Sequence, residues 1–293
     1  MDFFEIGHKI KELRKRMKLS QEELAKGICT QAQISKLEKG DVFPYASTLY
    51  LISQKLGVDV NYFFDMAMTP RLDYVKEVTH QLRNARRTMN YREIRDIVVA
   101  EENNPLFKQH KRNYQLLLWH KGIYHYELYR DSVKSINILK DAILLTQTSN
   151  KVHSEREIEI LLSIGVVLFE EKQFKQALST YKDAYQFINT IPYLVDNTVK
   201  IRIYYNIART LTRLQDYEKS NNFCLEGIQW CLQKSNLYLL GELHYHTGYN
   251  YELLGDLILA ERYMEKAKLI FDLQHDTRFI SFISQKLDNW KTL

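Results

Sequence analysis

The sequence predicts an all-α chain in which a small N-terminal domain precedes a long array of helix pairs. The 293 residues include only 10 Gly and 4 Pro, so residues that break helices are scarce. Apolar residues recur at helical spacing along most of the chain. From about Asp73 onward, small and aromatic residues return in a pattern roughly forty residues long, which is typical of helical repeats.

The composition is 45% hydrophobic and 26% charged, as in an ordinary globular protein. No apolar stretch approaches the ~18 residues of a membrane span, and the first residues lack a signal-peptide pattern. Cys224 and Cys231 would lie roughly 10.5 Å apart on one helix, too far for a disulfide. We therefore expect a cytoplasmic protein with no membrane association. The net charge of +5 is weak evidence for a nucleic-acid partner.

The first two helices follow from apolar spacing and a capping signal. Ile6, Ile10 and Leu13 predict a helix over about residues 5–18. Its outer side is basic and is expected to carry Lys9, Lys11, Arg14, Lys15, Arg16 and Lys18. Ser20 and Glu23 form a capping-box pattern, which predicts a second helix from Gln21 to about Lys26.

Three further helices complete the small domain. A tight turn at residues 27–29 leads to Thr30, the predicted N-cap of a third helix that runs through Lys39 and ends at Gly40. Leu49, Ile52 and Leu56 mark a fourth helix. Val60, Tyr62, Phe63 and Phe64 suggest a short fifth helix that closes the core. We place this domain at residues 1–66.

Residues 20–25, residues 31–40, Pro44, Leu49 and residues 56–58 together resemble the helix-turn-helix of the phage-repressor (Xre/Cro) superfamily. The match covers almost the whole domain, although the turn after Ala25 is one residue shorter than usual. In such a motif the second helix directs its N-terminus at a phosphate, and the third helix lies in the major groove.

The resemblance implies a set of DNA contacts. Gln can bond adenine through both amide groups, and Lys can reach guanine or phosphate. For base edges the candidates are Gln31, Gln33, Ser35 and Lys36. For the DNA backbone they are Gln21, Thr30 and Lys39. The alternative is that these side chains form only the solvated face of a helix.

The rest of the chain consists of about five degenerate repeats. The clearest unit spans residues 158–185, where Gly165, Ala177 and Ala184 let two helices approach closely and Tyr181 fills the gap. This spacing is similar to a tetratricopeptide repeat (TPR). Equivalent positions are 82, 120, 165, 208 and 248. We expect a linker helix over residues 67–88, a superhelical array over residues 73–293, and a capping helix over residues 277–291.

Such an array has a concave face built from the first helices of successive repeats, and this groove suits an extended peptide. By repeat phase, ten side chains are candidates for peptide contact: Arg83, Arg87, Lys121, Tyr124, Tyr205, Asn206, Arg209, Tyr245, His246 and Tyr249. Most of the 20 tyrosines are nevertheless expected to be packing residues, and the arginines of residues 83–87 could be a solvated face.

A phage-repressor-type domain joined to degenerate TPRs at this length resembles the RNPP family, the peptide-sensing regulators of Gram-positive quorum sensing. The resemblance implies a transcription regulator controlled by a short signalling peptide. In that family an Asn on the first helix of a repeat bonds the peptide backbone, and Asn206 matches it. Arg87 falls near the position of the family's basic residues. No second Asn occurs around residues 162–163, so peptide specificity is expected to differ.

A homodimer on a palindromic operator is expected, because one small helix-turn-helix reads too few bases to be selective. Two alternatives stay open: the repeats could bind a protein partner, or the chain could be a scaffold that contacts only proteins. Neighbouring pairs such as His244 and His246 point to opposite sides of a helix. No metal-ligand, nucleophile or phosphate-loop motif occurs. We therefore predict no enzyme activity, no metal and no cofactor.

Overall fold

The computed structural model describes residues 3–68, 71–149 and 151–291, and within these ranges the chain forms seventeen α-helices. The predicted all-α class is therefore confirmed. The chain divides into two compact units, residues 1–114 and residues 115–293. None of the helices in the described ranges is long and apolar enough to cross a membrane.

The first unit contains the five helices predicted for the small domain and three more. These are α1 (Phe3–Arg16), α2 (Gln21–Ala25), α3 (Gln31–Lys39), α4 (Ala46–Lys55), α5 (Val60–Met68), α6 (Leu72–Arg87), α7 (Tyr91–Glu101) and α8 (Pro105–Lys108). Helix α1 ends two residues earlier than predicted, because Lys18 adopts a left-handed conformation with φ 57°. Helix α8 is a single turn that the sequence pattern did not indicate; Asn104 caps it and Pro105 begins it.

The core of the first five helices is the predicted one. Its buried members are Ile6, Ile10, Leu13, Leu24, Ala25, Ile34, Leu37, Leu49, Ile52, Leu56 and Phe63. Helices α1 and α3 cross in direct backbone contact at Gly7, where a Cβ atom would lie 2.0 Å from the carbonyl oxygen of Leu37. One prediction for α1 is wrong: Arg14 does not lie on the outer basic side but is buried against α3.

The second unit is an array of helix pairs closed by one extra helix. Its members are α9 (Lys111–Tyr129), which begins in the first unit, α10 (Ser132–Leu144), α11 (Glu155–Glu170), α12 (Phe174–Ile188), α13 (Thr198–Arg213), α14 (Tyr217–Gln233), α15 (Leu240–Leu253), α16 (Leu257–Leu273) and α17 (Thr277–Lys291). The predicted range of the final helix is confirmed. Small residues let paired helices approach, as predicted: a Cβ on Gly165 would lie 2.2 Å from the ring of Tyr181.

A recurring turn fixes the register of five helix pairs, namely α6–α7 of the first unit and the four pairs of the second. In each pair a residue in left-handed conformation stands two positions before the second helix: Met89, Arg130, Lys172, Gln215 and Gly255. These residues are 41, 42, 43 and 40 positions apart. By this register the equivalent of Gly165 in the second pair is Ile123, three residues beyond the predicted His120. The unequal predicted gaps arose from that phase error.

Candidate DNA-binding and ligand-binding sites

Helix α3 is held at both ends by the predicted signals. Oγ1 of Thr30 accepts a hydrogen bond from the backbone N–H of Gln33 over 3.2 Å, and Oε1 of Gln33 accepts one from the backbone N–H of Thr30 over 3.0 Å. Gly40 ends the helix with φ 78°. Because the cap uses the amide oxygen of Gln33, its NH₂ group is the part left to face a partner.

A chain of side-chain hydrogen bonds links the interior of the domain to α3. Arg14 and Glu38 form a buried bidentate ion pair, with Nε–Oε1 at 2.5 Å and Nη2–Oε2 at 2.9 Å. Nε2 of Gln21 donates to Oε2 of Glu38 over 2.9 Å, and Nε2 of Gln31 donates to Oε1 of Gln21 over 2.7 Å. The buried carboxylate thereby sets which way both amides point.

The charge of Glu38 determines the direction of the hydrogen bonds in this network. Burial opposes its ionisation, but hydrogen bonds from Arg14 and Gln21 outweigh the burial and hold the pKa of Glu38 below its ordinary value. The carboxylate is therefore an acceptor at neutral pH, which requires Gln21 to present its NH₂ group inward. As a result the oxygen of Gln21 faces Gln31.

The structure places the seven predicted DNA-contact residues on α2, on α3 and at the N-cap of α3. Five of them are exposed: Thr30, Gln31, Gln33, Lys36 and Lys39. Gln21 and Ser35 are half-buried. Sequence reasoning missed Glu38 as the residue that orients Gln21 and Gln31. The sequence does show a carboxylate among the apolar positions of α3 and a basic residue 24 positions earlier on α1. Such a pattern is too common to identify the Arg14–Glu38 pair.

The second unit holds a cavity of about 610 Å³, within the size range of small-ligand sites. It is lined chiefly by first helices of the array and by α17. The lining residues are Phe169, Tyr205, Arg209, Thr212, Arg213, Gln215, Tyr217, Glu242, Tyr245, His246, Tyr249, Leu253, Phe279, Phe282 and Lys286.

Aromatic rings make up much of the cavity lining. Tyr245 and Tyr249 are parallel, with an interplanar angle of 4° and ring centroids 6.4 Å apart. Phe282 meets Tyr245 edge-on, and Tyr205 meets His246 in the same way. Burial raises the pKa of Tyr245 to about 12, so its hydroxyl stays protonated and can donate a hydrogen bond.

A buried polar network fixes the ring of His246. Oγ1 of Thr212 lies 2.8 Å from Nε2 of His246 and 2.7 Å from Oδ1 of Asn250. Asn250 also donates to Ser220 over 2.7 Å. Burial, aided by the charge of Arg209, lowers the pKa of His246 to about 4. The imidazole is therefore neutral at pH 7, and no charge has to be buried in this network.

The charged lining residues differ in their partners. The guanidinium of Arg209 lies over the ring of Phe169 at 4.5 Å and 4.0 Å from Oε1 of Glu170. Lys286 pairs with Glu252 at 2.6 Å. Burial raises the pKa of Glu242, whose Oε2 atom is buried and has no hydrogen-bond partner among the described residues.

Five of the ten predicted peptide contacts line the cavity: Tyr205, Arg209, Tyr245, His246 and Tyr249. Tyr124 is buried and stacks on His125, and Lys121 and Asn206 are half-buried outside the lining. Arg83 and Arg87 are exposed on α6 of the first unit. The sequence pattern missed the contribution of α17, since a capping helix is expected only to cover the end of the array. Among the described residues, no group of three or more His, Cys, Asp or Glu could hold a metal ion.

Together, the folds of the two units define the class of protein: a helix-turn-helix domain followed by an array of helix pairs. The model of the RNPP family C-terminal domain matches residues 79–290, and a helix-turn-helix model matches residues 10–63. The chain therefore belongs to the RNPP family. No curated protein sequence matches it.

Solved structures share the fold. Bacillus thuringiensis PlcR in complex with the peptide PapR7 and DNA superposes with a TM-score of 0.87 at 22% identity, covering 96% of this chain and 99% of that one. The pheromone receptor Rgg2 of Streptococcus dysgalactiae superposes with a TM-score of 0.65 at 15% identity, and the match covers 97% of this chain and 99% of that one. ComR from S. thermophilus, in complex with DNA and its signalling peptide ComS, superposes with a TM-score of 0.62 at 16% identity. The match covers 96% of this chain and 98% of that one.

Proposed function

We propose that this protein is a sequence-specific DNA-binding transcription regulator, and not an enzyme, controlled by a short signalling peptide bound in the cavity of the second unit. Two features of one chain support this proposal. Helix α3 bears polar side chains that are oriented in advance, and the repeat array holds a ligand-sized cavity lined by aromatic rings. The PlcR and ComR relatives were solved with both DNA and a peptide, which supports the proposal. A DNA-binding role places the protein in the cytoplasm.

The DNA-binding part is residues 1–66. Gln31, Gln33, Ser35 and Lys36 contact base edges, while Gln21, Thr30 and Lys39 hold the backbone. The amide chain that ends at Gln31 supports its role in base recognition, because an amide fixed in advance loses less side-chain entropy on binding. The capped Gln33 donates through its NH₂ group to an acceptor such as N7 or O6.

The sensing and dimerisation part is residues 73–293, entered through the linker helix at residues 67–88. Tyr205, Arg209, Tyr245, His246 and Tyr249 contact the peptide directly. The other five predicted contacts, Lys121, Tyr124, Asn206, Arg83 and Arg87, lie outside the cavity lining, and we assign them no contact with the ligand in the cavity. The protein acts as a homodimer on a palindromic operator, and the peptide favours one arrangement of the two DNA-binding domains by binding it more tightly.

Control by a docked protein partner is less well supported. A protein interface buries about 800 Å² on each partner over a broad surface. The cavity is instead a concave site of small-ligand size with a few polar groups among aromatic rings. This geometry favours a peptide over a folded protein.

The proposal is tested with the full-length protein and a randomised duplex library, selected in the presence of competitor DNA at physiological salt. We expect enrichment of a palindromic motif, and native mass spectrometry of the protein taken from its host should show a bound short peptide. If the protein enriches no motif over competitor, the DNA-binding proposal is wrong. If it carries no peptide and retains none from a library, control by a peptide is wrong.

A further inference from the structure

Two residues of opposite charge, Glu242 and Arg213, line the cavity. Glu242 lies in the first turn of α15, and Arg213 is the last residue of α13. Arg213 and Leu253 occupy equivalent positions, each two residues before the left-handed turn residue of its pair. Helices α13 and α15 pack on each other, so Arg213 and Leu253 mark the same end of the cavity.

The separation of the two ends follows from helix geometry. Eleven positions separate Glu242 from Leu253 along α15, and at 1.5 Å per residue they lie about 16 Å apart. An extended peptide advances about 3.3 Å per residue. A peptide of about five residues therefore spans the distance from Glu242 to the Arg213 end.

Each of these two charges is available to a ligand, whereas the other cations of the lining are engaged. Arg209 has Glu170 within 4.0 Å, and Lys286 has Glu252 at 2.6 Å. Arg213 is exposed and has no ion-pair partner among the described residues. Glu242 keeps one carboxylate oxygen buried without a hydrogen bond. Glu242 nevertheless lines the cavity and has no ion-pair partner among the described residues, so its carboxylate group can pair with a cationic group of a ligand.

We infer that the cavity binds a linear peptide of about five residues in one orientation, with its free N-terminal ammonium at Glu242 and its free C-terminal carboxylate at Arg213. This inference rests on the proposed control by a peptide and specifies the ligand. Between the two ends the peptide presents apolar or aromatic side chains to Tyr205, Tyr245, Tyr249 and Phe282. Reversal would bring its carboxylate to Glu242 and its ammonium to Arg213, so like charges exclude the opposite orientation.

The test uses the purified full-length protein and four randomised pentapeptide libraries: free at both ends, N-acetylated, C-amidated and blocked at both ends. Retained peptides are quantified by mass spectrometry. We expect acetylation or amidation each to reduce retention by about tenfold or more, the loss typical of one charge-assisted hydrogen bond. Glu242→Gln should abolish the discrimination against acetylated peptides alone, and Arg213→Gln the discrimination against amidated peptides alone.

The matched control is Glu265→Gln, which changes an exposed carboxylate on α16 outside the cavity and should leave all four retentions unchanged. Thermal unfolding of each variant checks that it is folded. If blocked and free libraries are retained equally by the wild type, the inference is wrong while control by a peptide survives. If Glu242→Gln instead abolishes the discrimination against amidated peptides, and Arg213→Gln the discrimination against acetylated peptides, the orientation is the reverse of the one inferred. Retention of no library at all overturns the proposed control by a peptide and this inference with it.

Discussion

The amide of Gln31 donates a hydrogen bond to the amide oxygen of Gln21 over 2.7 Å. Gln21 is itself oriented by the buried Glu38. The amide that we propose to contact a base is therefore oriented from the interior of the domain before DNA binds. A recognition residue that is held in this way contributes to specificity through its direction as well as through its chemistry.

Replacing Gln31 by Ala is expected to weaken binding to the selected operator by about 1–3 kcal/mol, roughly 10- to 100-fold. It should also relax the base preference at one position of each half-site. The salt dependence should stay unchanged, because no charge is removed. Titrations of labelled duplexes at several salt concentrations measure both quantities.

Lys39→Ala is the matched comparison for that measurement. It should weaken binding to all duplexes alike and reduce the salt slope by about 1. Loss of base preference in this variant, or its retention in Gln31→Ala, would contradict the assignment of the two residues to backbone and base.

The Arg14–Glu38 pair predicts a pH dependence of stability. Because the folded-state pKa of Glu38 is depressed, ionised Glu38 stabilises the fold above its unfolded pKa of about 4.3. The stabilisation declines as the pH falls below that value toward the lower folded pKa. Unfolding of residues 1–66 at a series of acidic pH values should show this loss, and Glu38→Gln should remove that part of the dependence.

Arg14→Met is the complementary variant. It leaves Glu38 buried without its counter-ion, and we expect a loss of about 3–5 kcal/mol in the free energy of unfolding at pH 7. The loss should shrink at acidic pH, where Glu38 is protonated. An equal loss at both pH values would mean that Arg14 acts by packing alone.

Gly165→Ala should destabilise the repeat array, because the added methyl group would lie 2.2 Å from the ring of the fully buried Tyr181. Overpacking of this kind typically costs about 1–3 kcal/mol. Gly227→Ala is the control: its Cβ would be no closer than 3.0 Å to any neighbour, so its cost should be smaller. Urea unfolding of both variants gives the comparison, and equal costs would show that α11 and α12 can move apart.

Lys172→Gly should stabilise the array by up to about 1 kcal/mol. Lys172 has φ 60°, a conformation that costs an L-residue about 1–2 kcal/mol, and this relief exceeds the extra chain entropy of Gly. Lys175→Gly, an exposed position in the first turn of α12, should instead destabilise by about 0.5–1 kcal/mol. Both variants replace Lys by Gly, so the difference between their thermal unfolding temperatures reports the effect of the backbone conformation at position 172. If both variants unfold at a lower temperature than the wild type, the backbone of Lys172 is not strained.

Much of the fold could be predicted because its signals are local. Helical spacing places Ile34 and Leu37 in the core, and a Ser or Thr three residues before Glu or Gln marks the starts of α2 and α3. The cavity was predicted only in part. Tyr205 and Tyr245 follow from repeat phase, but Phe279 and Phe282 belong to a helix whose sequence gives no reason to place it beside the groove.

The sequence by itself determined the succession of helices, the helix-turn-helix motif and the presence of a repeat, because these depend on side-chain periodicity and capping within a few residues. Only the tertiary structure decided that Arg14 turns inward to Glu38, that Met89, Arg130, Lys172 and Gln215 adopt left-handed turns, and that Glu242 and Arg213 line one cavity. Each of these depends on residues distant in the chain or on a backbone conformation that the whole array imposes against local preference. No local pattern can report such an outcome, since its energy comes from the packing of the complete fold.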